Sequence, residues 1–252
     1  MFSAAFSLMP PNFKLAKDEI HIWCAALDKL VYRFKKYFQT LSLEERIRAK
    51  RFYFERDRKR FIIRRGILRT ILGFYLNVDP SRIEFRYGEN GKPALADTHS
   101  KGTIRFNLSH SNGFVIFAFD RDNEIGVDIE EIRDIYEMDH ISQRFFSEIE
   151  DAVFRALPEN KKKKAFFNCW TRKEAFIKAI GDGLSLPLDK FDVSLAPGVP
   201  SRLLRIEGDS KELSLWSIEA FIPAPNYVAA LAIKSHVFKL RCWRWTEQAF
   251  SA

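Results

Sequence analysis

The stretch Ile125-Gly126-Val127-Asp128-Ile129-Glu130 constrains the chain more than any other. Apolar and acidic residues alternate in it with the two-residue period of a β-strand. Ile125, Val127 and Ile129 share one face, and Asp128 and Glu130 stand side by side on the other. Two carboxylates so close repel each other unless something compensates them. An exposed strand face leaves that task to water. A functional face gives it to a hard divalent cation, and magnesium typically takes one or two carboxylates plus substrate phosphates. Spacing alone leaves both readings open.

The 252 residues suffice for one large domain or two small ones. A net charge of +8 and a pI of about 9.4 point to an acidic partner. That partner is a nucleic acid, a membrane surface, an acidic protein or a phosphorylated small molecule. Between Leu43 and Arg69 lie eleven Lys and Arg against four acids, nearly the whole excess. Ile47, Phe52, Phe54, Phe61, Ile62 and Leu68 thread this run at helical spacing, with a break expected near Asp57. Ser42 and Glu45 predict a capping box at its start. Cys24, Cys169 and Cys242 lack metal spacing and suggest free thiols in a reducing compartment. Met1 to Phe13 has no basic leading region and is interrupted by Pro10-Pro11, so it does not read as a signal peptide. The longest apolar run, Phe114 to Phe119, falls far short of the roughly 20 residues that span a bilayer. The expectation is a cytoplasmic protein that does not bind membranes.

Strands are predicted at 19–26, 82–87, 103–109, 114–119, 190–195, 213–222, 227–233 and 239–245. Gly88-Glu89-Asn90-Gly91 reads as a turn, and His110-Ser111-Asn112-Gly113 as a hairpin loop with Ser109-His110 at its mouth. Helical segments follow at 140–157. The lysine run Lys161 to Lys164 leads into a long helix that Gly181-Asp182-Gly183 stops near Ile180. Long helix, strand and hairpin recur in both halves. This predicts an α+β fold of two similar subdomains, 1–120 and 121–252, related by a pseudo-twofold, with a ligand cleft between them.

On the second long helix, Trp170, Glu174 and Lys178 recur at four-residue steps and share a face. A Glu-Lys pair at this spacing makes a surface ion pair. Facing the cleft, it would instead add a third carboxylate to Asp128 and Glu130 and a cation for a phosphate. Ser109-His110 lacks the Gly-x-Ser-x-Gly elbow of a hydrolase nucleophile and can donate hydrogen bonds to an anion. The chain carries no Walker loop, dinucleotide fingerprint or zinc pattern.

Together, Gly126-Val127-Asp128-Ile129-Glu130 and Trp170-Thr171-Arg172-Lys173-Glu174-Ala175-Phe176-Ile177-Lys178-Ala179 resemble the signature pair of the phosphopantetheinyl transferases. Gly183-Leu184-Ser185-Leu186-Pro187-Leu188, Ser42-Leu43-Glu44-Glu45, Arg51-Phe52, Gly91-Lys92-Pro93, Phe106 to Ser111 and Arg144-Phe145-Phe146-Ser147 extend the likeness. It runs from about Ser42 to Leu195 and suits the monomeric, surfactin-synthetase-activating type. The resemblance implies transfer of the phosphopantetheine arm of coenzyme A to a serine of an acidic apo carrier protein. The carrier is an acyl, polyketide or peptidyl carrier, and adenosine bisphosphate leaves. It implies magnesium on Asp128, Glu130 and Glu174, with Glu174 also the base and Lys178 stabilising the leaving phosphate. Arg48, Arg60, Lys92, Ser109 and His110 would hold coenzyme A, and Gly91 and Pro93 would shape its adenine pocket. The family often has a lysine where this chain has Glu45, which passes that phosphate contact to Arg46 or Arg48. Glu150 matches another acidic position, structural or catalytic.

Two other classes use the same features. A nucleic-acid-binding module would use the basic helix with its interleaved aromatics and leave the acidic motifs without a role. A magnesium nuclease or phosphatase would use the acids and leave the basic surface unexplained. The transferase reading uses both and expects no nucleic acid.

Overall fold

A computed structural model describes residues 6–7, 14–88, 91–96, 104–181, 186–208 and 210–246. The chain is α+β, with two sheets packed face to face and a long helix on the outer side of each. In the first half come β1 (Glu19–Ala26), α1 (Phe34–Thr40), α2 (Leu43–Lys50), α3 (Glu55–Leu76), β2 (Phe85–Tyr87), β3 (Pro93–Leu95), β4 (Arg105–Ser111) and β5 (Phe114–Asp120). The second half has β6 (Ile125–Glu131), α4 (Met138–Phe145), α5 (Glu148–Arg155), α6 (Glu159–Ile180), β7 (Phe191–Val193) and β8 (Leu203–Ile206). It continues with α7 (Ser210–Leu213), β9 (Ser217–Phe221), β10 (Tyr227–Ile233) and β11 (Lys239–Arg244).

One sheet has the order β11-β1-β5-β4 and the other β6-β10-β9, so β1-β5-β4 and β6-β10-β9 repeat one arrangement. Alternation along the strands builds the layers. Ile20, Ile22, Ile116 and Ala118 of the first sheet meet Ile125, Val127 and Ile129 of the second. The intervening residues of the first sheet, Trp23, Phe117 and Phe119, pack outward under α3. Strand β11 crosses back to pair in parallel with β1, from Glu19 with Lys239 to Cys24 with Arg244. Residues 239–244 therefore lie in the first sheet, not with the rest of 121–252.

Several boundaries differ from the sequence expectation. The basic region breaks at Arg51–Phe54, ahead of Asp57, where α2 ends and α3 begins. The lysine run lies within the first turns of α6. The β4-β5 hairpin turns on Asn112-Gly113 alone, with φ of 35° and 83°. This is the all-positive pair that a two-residue type I′ hairpin requires. His110 and Ser111 are thus strand residues, paired with Val115 and Phe114. Glu89-Asn90 and Asp182 to Ser185 lie outside the described residues, as does most of Met1 to Phe13.

The capping box on Ser42 is formed, with its Glu45 almost fully buried. Glu45 also pairs with Arg65 and Arg69, each at 2.6 Å. A second capping box, Ser147 with Glu150, starts α5. Buried Glu150 takes the ammonium of buried Lys173 at 2.6 Å and the amide of Val193 at 2.7 Å. Both glutamates hold the fold.

Gly126 sets the distance between β6 and α6. A Cβ there would lie 2.1 Å from the Ala175 carbonyl oxygen and 2.3 Å from the Ala179 nitrogen. Helix and strand backbones touch, and neither contact is a side chain that can move aside. Gly126→Ala should therefore cost roughly 3 kcal/mol, the upper end of an overpacking penalty. Denaturant titration reads this directly; a loss below about 0.5 kcal/mol would contradict the contact.

Candidate active site

From Ala165 to Ala179 helix α6 is buried at every position except Trp170, Glu174 and Lys178, which are half-buried. The stripe expected from four-residue spacing is the only open side of this stretch. It faces β6. The neighbouring Thr171, Arg172 and Lys173 turn inward, where Arg172 donates to the backbone and hydroxyl of Ser194 and Lys173 to the carbonyls of Leu188 and Phe191.

Strand β4 supplies the other wall through a ladder of side chains reaching β6. Asn107 Oδ1 accepts from the Val127 amide at 3.0 Å. Ser109 Oγ donates to Asp128 Oδ1 and Ser111 Oγ to Glu130 Oε2, both at 2.7 Å. Lys178 Nζ donates to the same Asp128 Oδ1 at 2.5 Å and to Ser109 Oγ at 3.2 Å. Asp128 is 2% exposed, and its second oxygen, Oδ2, is buried without a hydrogen-bond partner.

These groups line a cavity of about 440 Å³ between the two halves. It brings together Arg48, Gly91, Pro93, Ser109, His110, Asp128, Glu130, Glu174 and Lys178. Two expected residues lie elsewhere. Arg60 makes a bidentate pair with Asp28, with bonds of 2.7 and 2.5 Å, beneath the β4-β5 turn. Lys92 donates to the carbonyls of Lys178 and Ala179 at the end of α6, and lines a neighbouring cavity of about 550 Å³. A cation near the last turn of a helix satisfies its free carbonyls. Phe61, Arg64, Arg65 and Tyr87 also line the site, although the sequence reading did not select them. The four-residue steps from Arg60 to Arg64 and from Phe61 to Arg65 are the sequence signal for the three helical residues, and Tyr87 has none. Arg46, the alternative to Arg48, instead donates to the Gln39 carbonyl at 3.0 Å.

The electrostatics divide the cavity. At the acidic end, burial pushes the Glu174 carboxyl above its ordinary range; Lys178 opposes this, and Asp128 and Glu130 reinforce it. Burial also raises Glu130, with Asp128 adding to it against Ser111 and Arg133. At the rim, His110 has exposed surface, yet the protein around its ring desolvates it, and this, with the cations Arg64, Lys178 and Arg60, pushes its pKa down to about 4. Three hard oxygen donors, one of them a buried orphan, suit magnesium in kind. Among the described residues, no three His, Cys, Asp or Glu side chains are gathered as a metal cage. Lys178 and Ser109 take one Asp128 oxygen and Ser111 binds Glu130. The donor set fits an ion that also takes ligands from a bound phosphate.

Residues 124–232 match the family described as the 4′-phosphopantetheinyl transferase superfamily, and residues 30–121 the N-terminal region of 4′-phosphopantetheinyl transferases. The 4′-phosphopantetheinyl transferase HetI of Nostoc sp. is 38% identical over 236 residues, which cover 94% of this chain and 96% of HetI. The chain belongs to the 4′-phosphopantetheinyl transferase superfamily. The transferase also resembles Sfp of Bacillus subtilis, 37% identical over 161 residues that cover 64% of this chain and 69% of Sfp. The holo-[acyl-carrier-protein] synthase of Thermotoga maritima is 18% identical with a TM-score of 0.36, over 44% of this chain and 62% of that one, too distant to bear on the site.

The raised carboxyls give the transferase a pH signature. A carboxyl whose pKa is raised by folding keeps a proton that the unfolded chain has released near 4.5. Stability is then greatest below that value and falls as pH rises through the raised one. Without divalent metal, Glu174→Gln should raise Tm at about pH 8 and leave it unchanged at about pH 4. Thermal melts at both pH values decide this; equal shifts at both would show that Glu174 carries no such repulsion.

Proposed function

We propose that this transferase moves the 4′-phosphopantetheine arm of coenzyme A to a serine of an acidic apo acyl, polyketide or peptidyl carrier protein, releasing adenosine 3′,5′-bisphosphate. The observation that carries the reading is the meeting of β6 and α6 motifs, Asp128 and Glu130 with Glu174 and Lys178, on one cavity lined by residues of both halves.

Residues 1–120 would supply contacts to the phosphates and adenine of coenzyme A, with Arg48, Ser109 and His110 at the cavity and Gly91 and Pro93 shaping one wall. Lys92 and Arg60 would act indirectly. Lys92 ties the Gly91-Pro93 segment to the end of α6. Arg60 braces the hairpin whose strand carries Ser109 and His110. Residues 121–252 would supply the chemistry. Glu174, made more basic by its surroundings, would take the proton of the carrier serine. Lys178 neutralises Asp128 and is within reach to neutralise a phosphate oxygen instead. Asp128, Glu130 and Glu174 would hold magnesium, which when bound offsets pyrophosphate charge.

Residues of both halves of the chain meet at the cavity, which is in keeping with a monomer. Among the described residues, no helix is long and apolar enough to cross a membrane. Cys24 and Cys169 are buried free thiols and Cys242 a partly buried one, in keeping with the cytoplasm. Internal acids engage much of the basic run, Arg60, Arg65 and Arg69 among it, which argues against a nucleic-acid face.

With coenzyme A and magnesium, an apo carrier should gain the mass of one phosphopantetheine, and a carrier whose serine is changed to alanine should gain nothing. Lys178→Ala should lower turnover by roughly 10²–10³-fold, and Asp128→Asn, which keeps the side chain's size and an oxygen for Ser109, should abolish it. Intact-mass spectrometry follows the reaction. Normal turnover by the Asp128 variant, or no modified carrier in a fatty-acid, polyketide and peptide-synthetase panel, would end this reading.

Rim charges steer encounter more than they hold a complex. Rising salt should therefore raise KM for the carrier with a smaller change in kcat; the reverse would put the carrier on an uncharged surface.

A further inference from the structure

Strand β4 stands at one edge of the first sheet and β6 at one edge of the second. An edge strand carries backbone groups that its own sheet leaves unpaired. Side chains of β4 meet those of β6. Asn107 Oδ1 accepts from the Val127 amide at 3.0 Å, and Ser111 Oγ from the Glu131 amide at 3.1 Å. The two bonds lie four residues apart on each strand, so neither half can slip along the other without breaking both. Two serines then meet the two acids with the same two-residue step. Ser109 Oγ donates to Asp128 Oδ1 and Ser111 Oγ to Glu130 Oε2. Each serine takes one oxygen of its carboxylate and leaves the other. Asp128 Oδ2 is buried without a partner. Glu130 accepts one further bond, from Arg133 at 3.4 Å, on the same Oε2, so Oε1 has none among the described residues.

The Ser111 hydroxyl is buried and has no choice of direction. Its oxygen accepts from an amide, which can only donate. Its single proton therefore goes to the carboxylate, which when ionised can only accept. We propose that Ser111 is a positioning residue of the transfer reaction: by tying Glu130 Oε2 to the Glu131 backbone, it holds Oε1 ready for the divalent ion beside Asp128 Oδ2. This rests on the transferase reading for the reaction and for its ion. A free glutamate side chain samples many rotamers, and ordering it at the moment of binding costs entropy. Ser111 imposes that order beforehand. Carboxylate ligands held by outer hydrogen bonds bind their metal more tightly than loose ones. Arg133, with more than half its side chain exposed and a longer bond, cannot hold Glu130 in the same way. Asn107 is the internal comparison, because it caps an amide of the same strand and bonds to no carboxylate.

The test compares Ser111→Ala and Asn107→Ala with the parent. Both remove a bond between β4 and β6, and only Ser111→Ala should change metal affinity. Manganese(II), titrated without coenzyme A and read by paramagnetic resonance of the free ion, gives a readout free of turnover. Ser111→Ala should weaken manganese binding by roughly tenfold to a hundredfold. Ser111→Thr, which keeps the hydroxyl, should restore part of it. In turnover, the magnesium concentration giving half the maximal rate should rise by a similar factor, with KM for coenzyme A unchanged at saturating magnesium. Melting curves confirm that the variants fold. Where alanine prevents folding, Ser111→Cys, close in size and a weak donor, should show the same loss. Unchanged manganese affinity in a folded variant lacking the hydroxyl would overturn the assignment. So would equal losses in Ser111→Ala and Asn107→Ala, or no manganese binding by the parent. If no carrier is ever modified but manganese binds and depends on Ser111, the transfer reading fails and the positioning of Glu130 for a metal stands. If carriers are modified and manganese affinity does not depend on Ser111, the positioning role fails alone.

Discussion

Contact between two backbones fixes the geometry on which everything else depends. Because residue 126 is glycine, β6 lies directly against α6 at Ala175 and Ala179. A strand and a helix this close bring the side chains that follow on each, Asp128 and Glu130 on one and Glu174 and Lys178 on the other, into a single cavity. Any side chain at residue 126 would push the helix outward. The apolar side of the same strand seals the contact between the sheets, so the carboxylates cannot turn away into solvent. Their mutual repulsion is thus imposed by packing, and a substrate or an ion can relieve it.

The two halves share an internal device that element order alone does not reveal. Each has a capping-box glutamate, Glu45 or Glu150, buried at the start of a short helix. Each glutamate is held by cations from the 22-residue helix that follows. Counted from Glu55 and Glu159, Arg69 and Lys173 both stand fourteen residues on. Removing one partner of such a buried pair costs about 3–5 kcal/mol, which explains why polar residues persist there. One step further the halves diverge. Glu174 faces the cavity, whereas its counterpart Thr70 only bonds back to the Gly66 carbonyl at 2.8 Å. The scaffold repeats, but the acidic residue does not.

Local pattern carried the sequence reading furthest where one element decides the outcome. Alternation placed Asp128 and Glu130, helical spacing placed Trp170, Glu174 and Lys178, and β1 and β10 have the expected ends. The reading fell short where a long-range choice decides. Arg60, Arg64 and Arg65 look equivalent on a basic helix. Only the tertiary structure brings Asp28, 32 residues away, to Arg60 and Glu45, 20 residues away, to Arg65. Lys92 was drawn from the cavity by the free carbonyls at the end of α6, a demand set by packing across 86 residues. The hairpin error was local. Asn112-Gly113 already signalled a two-residue turn, and the strand continues through His110 and Ser111 up to it.

The crossing of β11 bears on how the molecule comes into being. Among the described residues the last strand lies beside the first, Trp23 with Trp243 at a ring separation of 5.0 Å. The first-half sheet therefore stays one strand short until residue 244 has left the ribosome, and β1 meanwhile exposes an open edge. Pairings between sequence-distant strands form slowly, so the first half waits, incomplete, for the second. A polypeptide stopped short of β11 would hold every residue of the cavity and still lack the strand that closes its first sheet.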